Sequence, residues 1–435
     1  MIKCYTTYLS TKKYSSRFCF GGFGSLVLMA VLLGMTACYN PSKISFTNIS
    51  SNYVNLAKNF NLSISGFTSD SSTCKVYFKF NSQALFFQKD IKKNYFFAKY
   101  KINYELYNSY DLKKLLDSAT VNFIDSTHFN TTVEIFDSLI IPIHDHTFYT
   151  IAFTLTDLGK KYSTTKYLYV SSRQNLSRNS FLMVHENNIP FVESYINKGE
   201  RFRIVCRDAS IQKLYVKYFN RSFPIAEPPY TLSTNRPMSF VSDSFFTVPV
   251  SNSKTDMLSF NSQGIYHFQT DTSQKEGFSL YRFADDFPEI TSLEQMLLPL
   301  HYITTKTEYL DLSSAKNTKA VMDAFWLEKA GNPDRARELI RTYYNRVQDA
   351  NRYFTSYTDG WKTDRGIIYV IFGSPINVFR SASNETWYYG EDQNMISITL
   401  VFAKTWNPLT DNDYTLERGI EYKDLWYKAV QKWRQ

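Results

Sequence analysis

Four ionisable side chains fall within seven consecutive positions near the C-terminal end of the chain: Asp359, Lys362, Asp364 and Arg365. Carboxylates interleaved with cations could bind phosphate or move protons, given a nucleophile and a base within hydrogen-bond reach of one another. No such pair is evident here, and the GxxxxGK[ST] spacing that cradles a nucleotide is missing. The other reading is a polar turn whose groups satisfy one another while Trp361 fills a core. Each neighbour has a structural use. Gly360 and Gly366 suit positive φ or a close backbone approach. Trp361 is a large apolar anchor with one donor. Thr363 and Asp364 have short side-chain oxygens that can accept backbone N–H bonds within the turn. Arg365 can hold a carboxylate or carbonyls in a planar fork. The stretch is expected to be a packing motif or a partner-binding site, and no catalytic residue is assigned.

The remaining candidates for chemistry are sparser. His144-Asp145-His146 is the one close histidine pair. On a strand both rings would face the same way and could reach one metal, but no third ligand is evident. Solvated histidines on an edge strand bounded by Pro142 are the plainer expectation. The other histidines are scattered at 128, 185, 267 and 301, with no HExxH. No metal and no cofactor is therefore expected.

The polar turn needs elements to hold it. Before it, Ala336, Leu339, Ile340, Tyr343, Val347, Ala350 and Phe354 recur at 3.6-residue spacing. Asn332 is a candidate cap for this helix and Pro333 suits its first position. Its other face, with Arg335, Arg337, Glu338, Arg341, Arg346 and Asp349, reads as solvated, with an acidic lipid or partner as the alternative. After the turn, Ile367 to Phe372 is an apolar run of strand length closed by Gly373-Ser374-Pro375, and it predicts a strand. Thr386–Tyr389 and Ile396–Phe402 predict two more, with a turn at Gly390–Asn394 between them. A capping box Thr291-x-x-Glu294, a helix over 317–330 and an apolar face on Leu425, Trp426, Ala429 and Trp433 add helices. Residues 287–435 are thus expected to form an α+β domain with a small antiparallel sheet. All six tryptophans lie in it, at 326, 361, 387, 406, 426 and 433.

The turn and its continuation, GWxTDRGxIYVxFGxP over 360–375, resemble the motif that names the GWxTD-domain family of bacterial envelope lipoproteins. The GxYxxQxD run from Gly264 to Asp271 resembles it too. The resemblance implies an envelope location and brings no biochemical activity.

Upstream, the chain reads as β-structure. The 33 tyrosines and 35 phenylalanines occur largely in alternating runs, which favour strands. Short strands at 74–80, 95–107, 121–124, 132–135, 149–155 and 167–170 predict an immunoglobulin-like sandwich over 61–175, with a short helix at Asp111–Ser118. Strands at 201–206, 213–219, 264–271 and 277–283 predict a second one over 178–286, with a proline-rich irregular connection at 223–236. The tyrosines of the two β-units could form a glycan or peptide platform, though sheet-face packing is the plainer expectation. Cys74 and Cys206 each sit in an alternating strand, so buried free thiols are expected, although export would permit a disulfide.

Residues 1–37 read as an export signal: Lys3, Lys12, Lys13 and Arg17, then an apolar core from Phe18 to Leu33. Met35-Thr36-Ala37-Cys38 is lipobox-like, with Met where Leu is usual, so Cys38 is expected to be lipidated. A plain cleaved signal or an uncleaved anchor is the alternative, but the core is short for a span. Residues 38–60 read as anchor and tether. No acidic run follows Cys38, which favours a periplasm-facing outer-membrane lipoprotein. Loss of the four leader cations takes the formal charge from +9 to +5. With no basic module, no nucleic-acid partner is expected. The resulting expectation is a non-enzymatic scaffold or interaction subunit of an envelope assembly, with envelope-protein partners. A glycan- or peptide-binding lipoprotein and an uncharacterised hydrolase are the alternatives.

Overall fold

Alternating aromatic and polar residues lay down the first two sheets, as period-two patterning requires. In the computed structural model, β1 (Ser63–Phe67), β2 (Thr73–Asn81) and β6 (Glu134–Pro142) form one sheet in the order β1-β2-β6. A second has the order β3-β4-β7-β8, from β3 (Gln88–Asp90), β4 (Tyr95–Asn108), β7 (Phe148–Asp157) and β8 (Tyr162–Ser171). Strand β5 (Leu115–Thr127) also pairs with β4. All pairings are antiparallel. Val76, Phe78 and Phe80 of one sheet share a core with Tyr100, Ile102, Ile151 and Phe153 of the other. The structure describes residues 48–54, 60–91, 95–108, 114–127, 134–143, 148–171, 177–220, 223–232, 239–381, 383–390 and 397–435. The leader, Cys38, the His144–His146 pair and most of the expected 390–394 turn lie outside them.

The middle of the chain is again β-structure. Strands β9 (Phe181–His185) and β10 (Phe202–Cys206) pair. Strands β11 (Lys213–Phe219), β12 (Ser244–Pro249), β13 (Gly264–Gln269) and β14 (Phe278–Arg282) form an antiparallel sheet in the order β12-β11-β13-β14. Cys74 and Cys206 are buried and free.

The C-terminal part is helical around a small sheet. Its helices are α1 (Leu293–Leu297), α2 (Lys306–Ser314), α3 (Thr318–Ala330), α4 (Pro333–Phe354), α5 (Asp364–Phe372) and α6 (Lys423–Gln431). The sheet has the order β15-β16-β17-β18, from β15 (Asn377–Arg380), β16 (Asn384–Tyr389), β17 (Ile398–Lys404) and β18 (Tyr414–Leu416). Among the described residues, no helix is long and apolar enough to cross a membrane.

Local signals explain several helix ends. Asn332 caps α4 through its side chain and Pro333 opens it. Gly331 stops α3 in the left-handed region at φ 77°. The capping box of α1 is Ser292 with Gln295, one residue beyond the Thr291–Glu294 pair read from sequence.

Three expectations need correction. The run Ile367–Phe372 is not a strand but the body of α5, because it is buried on nearly every side and carries no amphipathic period. The stretch Leu115–Ser118 is not helical; it opens β5, whose long ladder to β4 outweighs local helix preference. Residues 48–54, read as tether, are seated on the C-terminal core. Ser50–Tyr53 is a 3₁₀ turn, and Ile49 and Tyr53 are buried with Trp387, Phe354 and Val378. The Ile49 N–H donates to the Val378 carbonyl at 2.9 Å, extending the edge of β15.

Contacts also cross the composition change near 285. Phe219, Ile265 and Tyr281 of the middle sheet cluster with Leu409 of the β17–β18 connection. The described residues all fall in one compact unit.

Candidate functional site

The motif is the corner where α4 passes into α5. After Phe354 the chain runs through a 3₁₀ turn, Gly360–Lys362, to Thr363, the N-cap of α5. The Thr363 hydroxyl accepts the Gly366 N–H at 3.1 Å and donates to the Gly360 carbonyl at 2.7 Å. The corner closes because two glycines stack. A Cβ on Gly360 would lie 1.9 Å from the Ala350 carbonyl oxygen, and one on Gly366 would lie 1.9 Å from that of Gly360. Neither glycine has positive φ, so of the two uses read from sequence it is close approach that applies.

Trp361 points into the core, 4 % exposed, edge-on to Tyr302 with ring centroids 6.0 Å apart. Its backbone N–H donates to the Asn351 side-chain oxygen of α4 at 3.3 Å. Lys362 stays near the surface, paired with Asp359 at 2.5 Å.

The sequence led us to expect that Asp364 accepts N–H bonds within its own turn; its partners instead lie outside the turn. As the first residue of α5 it faces the end of β18, accepts the Leu416 N–H at 2.8 Å and pairs with Arg418 just beyond that strand. Burial raises its carboxyl above the usual range, and Arg418 offsets only part of that rise. Arg418 in turn donates to the Glu227 and Pro228 carbonyls, both at 2.7 Å. The Ala226 N–H donates to the Lys362 carbonyl at 2.8 Å. The irregular proline-rich connection is thus a strap across the corner.

Arg365 is fully buried. Its guanidinium stacks 3.9 Å from the Tyr414 ring centroid and 5.3 Å from that of Phe354. One nitrogen donates to the Asn412 carbonyl at 3.1 Å, and the other lies 3.6 Å from Glu385. Glu385, on β16, is the hub of a buried network. It accepts from Trp387 Nε1 at 2.7 Å, the Tyr53 hydroxyl at 2.8 Å and Arg380 Nε at 2.8 Å. Burial alone would raise the Glu385 carboxyl. Arg380 and Arg365 outweigh it and hold the group at about 2.

Sequence reasoning found the motif residues but missed Arg418, Asn412, Glu385, Arg380 and Tyr53. A lone glutamate among the aromatic residues of Asn384–Tyr389 is the one local signal that was available.

Two further residues of α4 depart from the sequence reading. Arg346 and Asp349 are not on a solvated face. Arg346 donates to the Val370 and Ile371 carbonyls at the end of α5, both at 3.2 Å. Asp349 is buried 3.7 Å from Arg352, and burial raises its carboxyl to about 7. Among the described residues, no group of three or more His, Cys, Asp or Glu side chains is placed to hold a metal.

No curated protein matches the chain. Residues 264–435, from β13 to the last residue, match the family model of the GWxTD domain. The Gly360–Gly366 corner lies within the matched residues, so it is this C-terminal part of the chain that is similar to the GWxTD domain.

Proposed function

We propose that this chain is a lipid-anchored, periplasm-facing protein of the outer membrane, serving as a non-enzymatic scaffold or interaction subunit of an envelope assembly. The observation that carries the non-enzymatic part is the commitment of the corner's charged groups. Lys362 is held by Asp359, Asp364 by Arg418, and Arg365 by Asn412 and two aromatic rings. Groups engaged in this way hold a corner together rather than wait for a substrate. The lipobox-like Met35–Cys38 supports the anchor. Two antiparallel sheets over one core support reading the first β-unit as immunoglobulin-like, and the β11–β14 sheet supports the same for the second.

Replacing Cys38 by Ser tests the anchor. The variant is expected to leave the membrane fraction or stall as unprocessed precursor. Wild-type fractionation and migration would refute lipidation. Crosslinking in native membranes, read by mass spectrometry, should return envelope proteins as neighbours.

A further inference from the structure

Edge strands expose a row of unpaired backbone groups, and natural proteins blunt them with charge, bulges or cover. Two outer strands of the first β-unit follow that rule. Strand β5 carries Asp117 and Asp125, and β6 carries Glu134 and Asp137. The edge of β15 is covered by Asn48 and Ile49. Strand β12 differs. Its sequence, Ser-Phe-Phe-Thr-Val-Pro, holds no charge, and four of its first five residues are exposed. Among the described residues it pairs with β11 on one side only.

The direction of its free groups follows from the ladder. The Val250 N–H donates to the Gln212 carbonyl at 2.8 Å. Antiparallel pairing alternates, so Val248, Phe246 and Ser244 also turn their backbone inward to β11. Phe245 and Thr247 turn theirs outward. Their side chains lie on the face of β11 that carries Lys213, Tyr215 and Lys217, because Lys213 is opposite Pro249 and Lys217 opposite Phe245. On that face the Phe245 ring, 51 % exposed, stacks on Tyr215 with centroids 5.9 Å apart. Lys213 lies 5.1 Å over the Tyr215 ring. Neither Lys213 nor Lys217 has a carboxylate partner among the described residues.

We infer that β12 is a docking edge, which takes up an extended acidic segment of a partner protein as an added antiparallel or parallel strand. The Phe245 and Thr247 backbone groups supply the ladder, the Tyr215–Phe245 stack supplies an apolar seat, and Lys213 and Lys217 select carboxylates in the added strand. The edge lies outside residues 264–435, so it belongs to the part of the chain that the GWxTD family does not account for.

The test uses the purified full chain in detergent and a fluorescent, N-acetylated nonapeptide alternating glutamate with valine. A lysine–valine peptide serves as control. Saturable binding of the acidic peptide is expected, with protection of the Phe245 and Thr247 amides from hydrogen exchange. Thr247→Pro removes an outward N–H without touching the ladder to β11 and should weaken binding about tenfold, the worth of roughly one hydrogen bond. Lys213→Glu with Lys217→Glu should reverse the preference between the two peptides. Equal binding of both peptides by the wild type, or no saturable binding, overturns the inference. So does unchanged affinity in a Thr247→Pro variant that melts as the wild type does. If that variant does not fold, amide protection in the wild type decides, and its absence refutes the edge. Self-association that protects the same amides without peptide assigns the edge to a second copy and also refutes it.

Discussion

Asp364 and Trp361 hold the corner in different ways, and their loss should read differently. Trp361→Ala removes a buried ring and is expected to cost about 3–5 kcal/mol. Asp364→Ala leaves Arg418 without its carboxylate in a mostly buried site, where breaking a pair costs about 3–5 kcal/mol rather than the smaller cost of a lost turn bond. Removing both charges in Asp364→Ala with Arg418→Ala should recover part of that loss. Lys362→Ala touches a partly exposed pair and should change stability by less than about 1 kcal/mol. Gly366→Ala, whose methyl would collide with a backbone oxygen, should destabilise by at least about 1–3 kcal/mol. Thermal melts of the five variants check this order. A fully stable Trp361→Ala would remove the packing account of the motif.

At the scale of elements, α4 is the rod against which the corner is built, and its buried acid gives the assembly a pH signature. The Asp349 carboxyl is raised to about 7 by burial, with Arg352 opposing and Glu289 adding to the rise. A carboxyl raised on folding holds a proton in the native state that the unfolded chain has released. Its contribution is therefore present below the unfolded value and is lost as pH climbs towards about 7. His267 acts in the opposite sense. Burial lowers it to about 4, so its contribution is lost as pH falls from about 6.5. Comparing melts at pH 5 and pH 8, Asp349→Asn should remove the part of any stability loss at the higher pH that arises from this carboxyl. An unchanged difference between the two pH values would remove the assignment.

The same helices show what a sequence can disclose. Helix α4 was legible because one stripe is apolar, Asn332 caps it and Pro333 opens it. Helix α5 was not, because six apolar residues buried on nearly every side carry no period, and their β-branched members favour a strand. Its one readable sign was Thr363, whose cap was taken for part of a loop. The motif residues were found by type and spacing. Their partners were not, because Arg418 lies 54 residues from Asp364 and Tyr53 lies 332 from Glu385. Nothing local announces a pair that only the tertiary fold brings together.

Across the whole molecule, the change from strands to helices near residue 285 does not mark a break in packing. Ile49 and Tyr53 belong to the C-terminal core, the strap at 225–230 crosses the corner, and the Tyr281 hydroxyl donates to the Leu409 carbonyl at 2.5 Å. A fragment of residues 288–435 loses all of these contacts. It is expected to melt broadly, whereas residues 48–435 should melt cooperatively, both followed by tryptophan fluorescence. A sharp transition in the shorter fragment would show that the core closes without them.

The seating of residues 48–54 also has a mechanical side. Tension applied from the N-terminal side of Asn48 would not first reach the β1–β2–β6 sheet. It would meet the Asn48 and Ile49 bonds to the edge of β15, and then the Tyr53 hydroxyl, gripped by Glu385 and Arg380 inside the core. Bonds strung along a strand edge share a pull along its axis, and the buried phenol behind them acts as a toggle. The family domain, though last in the chain, is the part that would feel a tug on the N-terminus first.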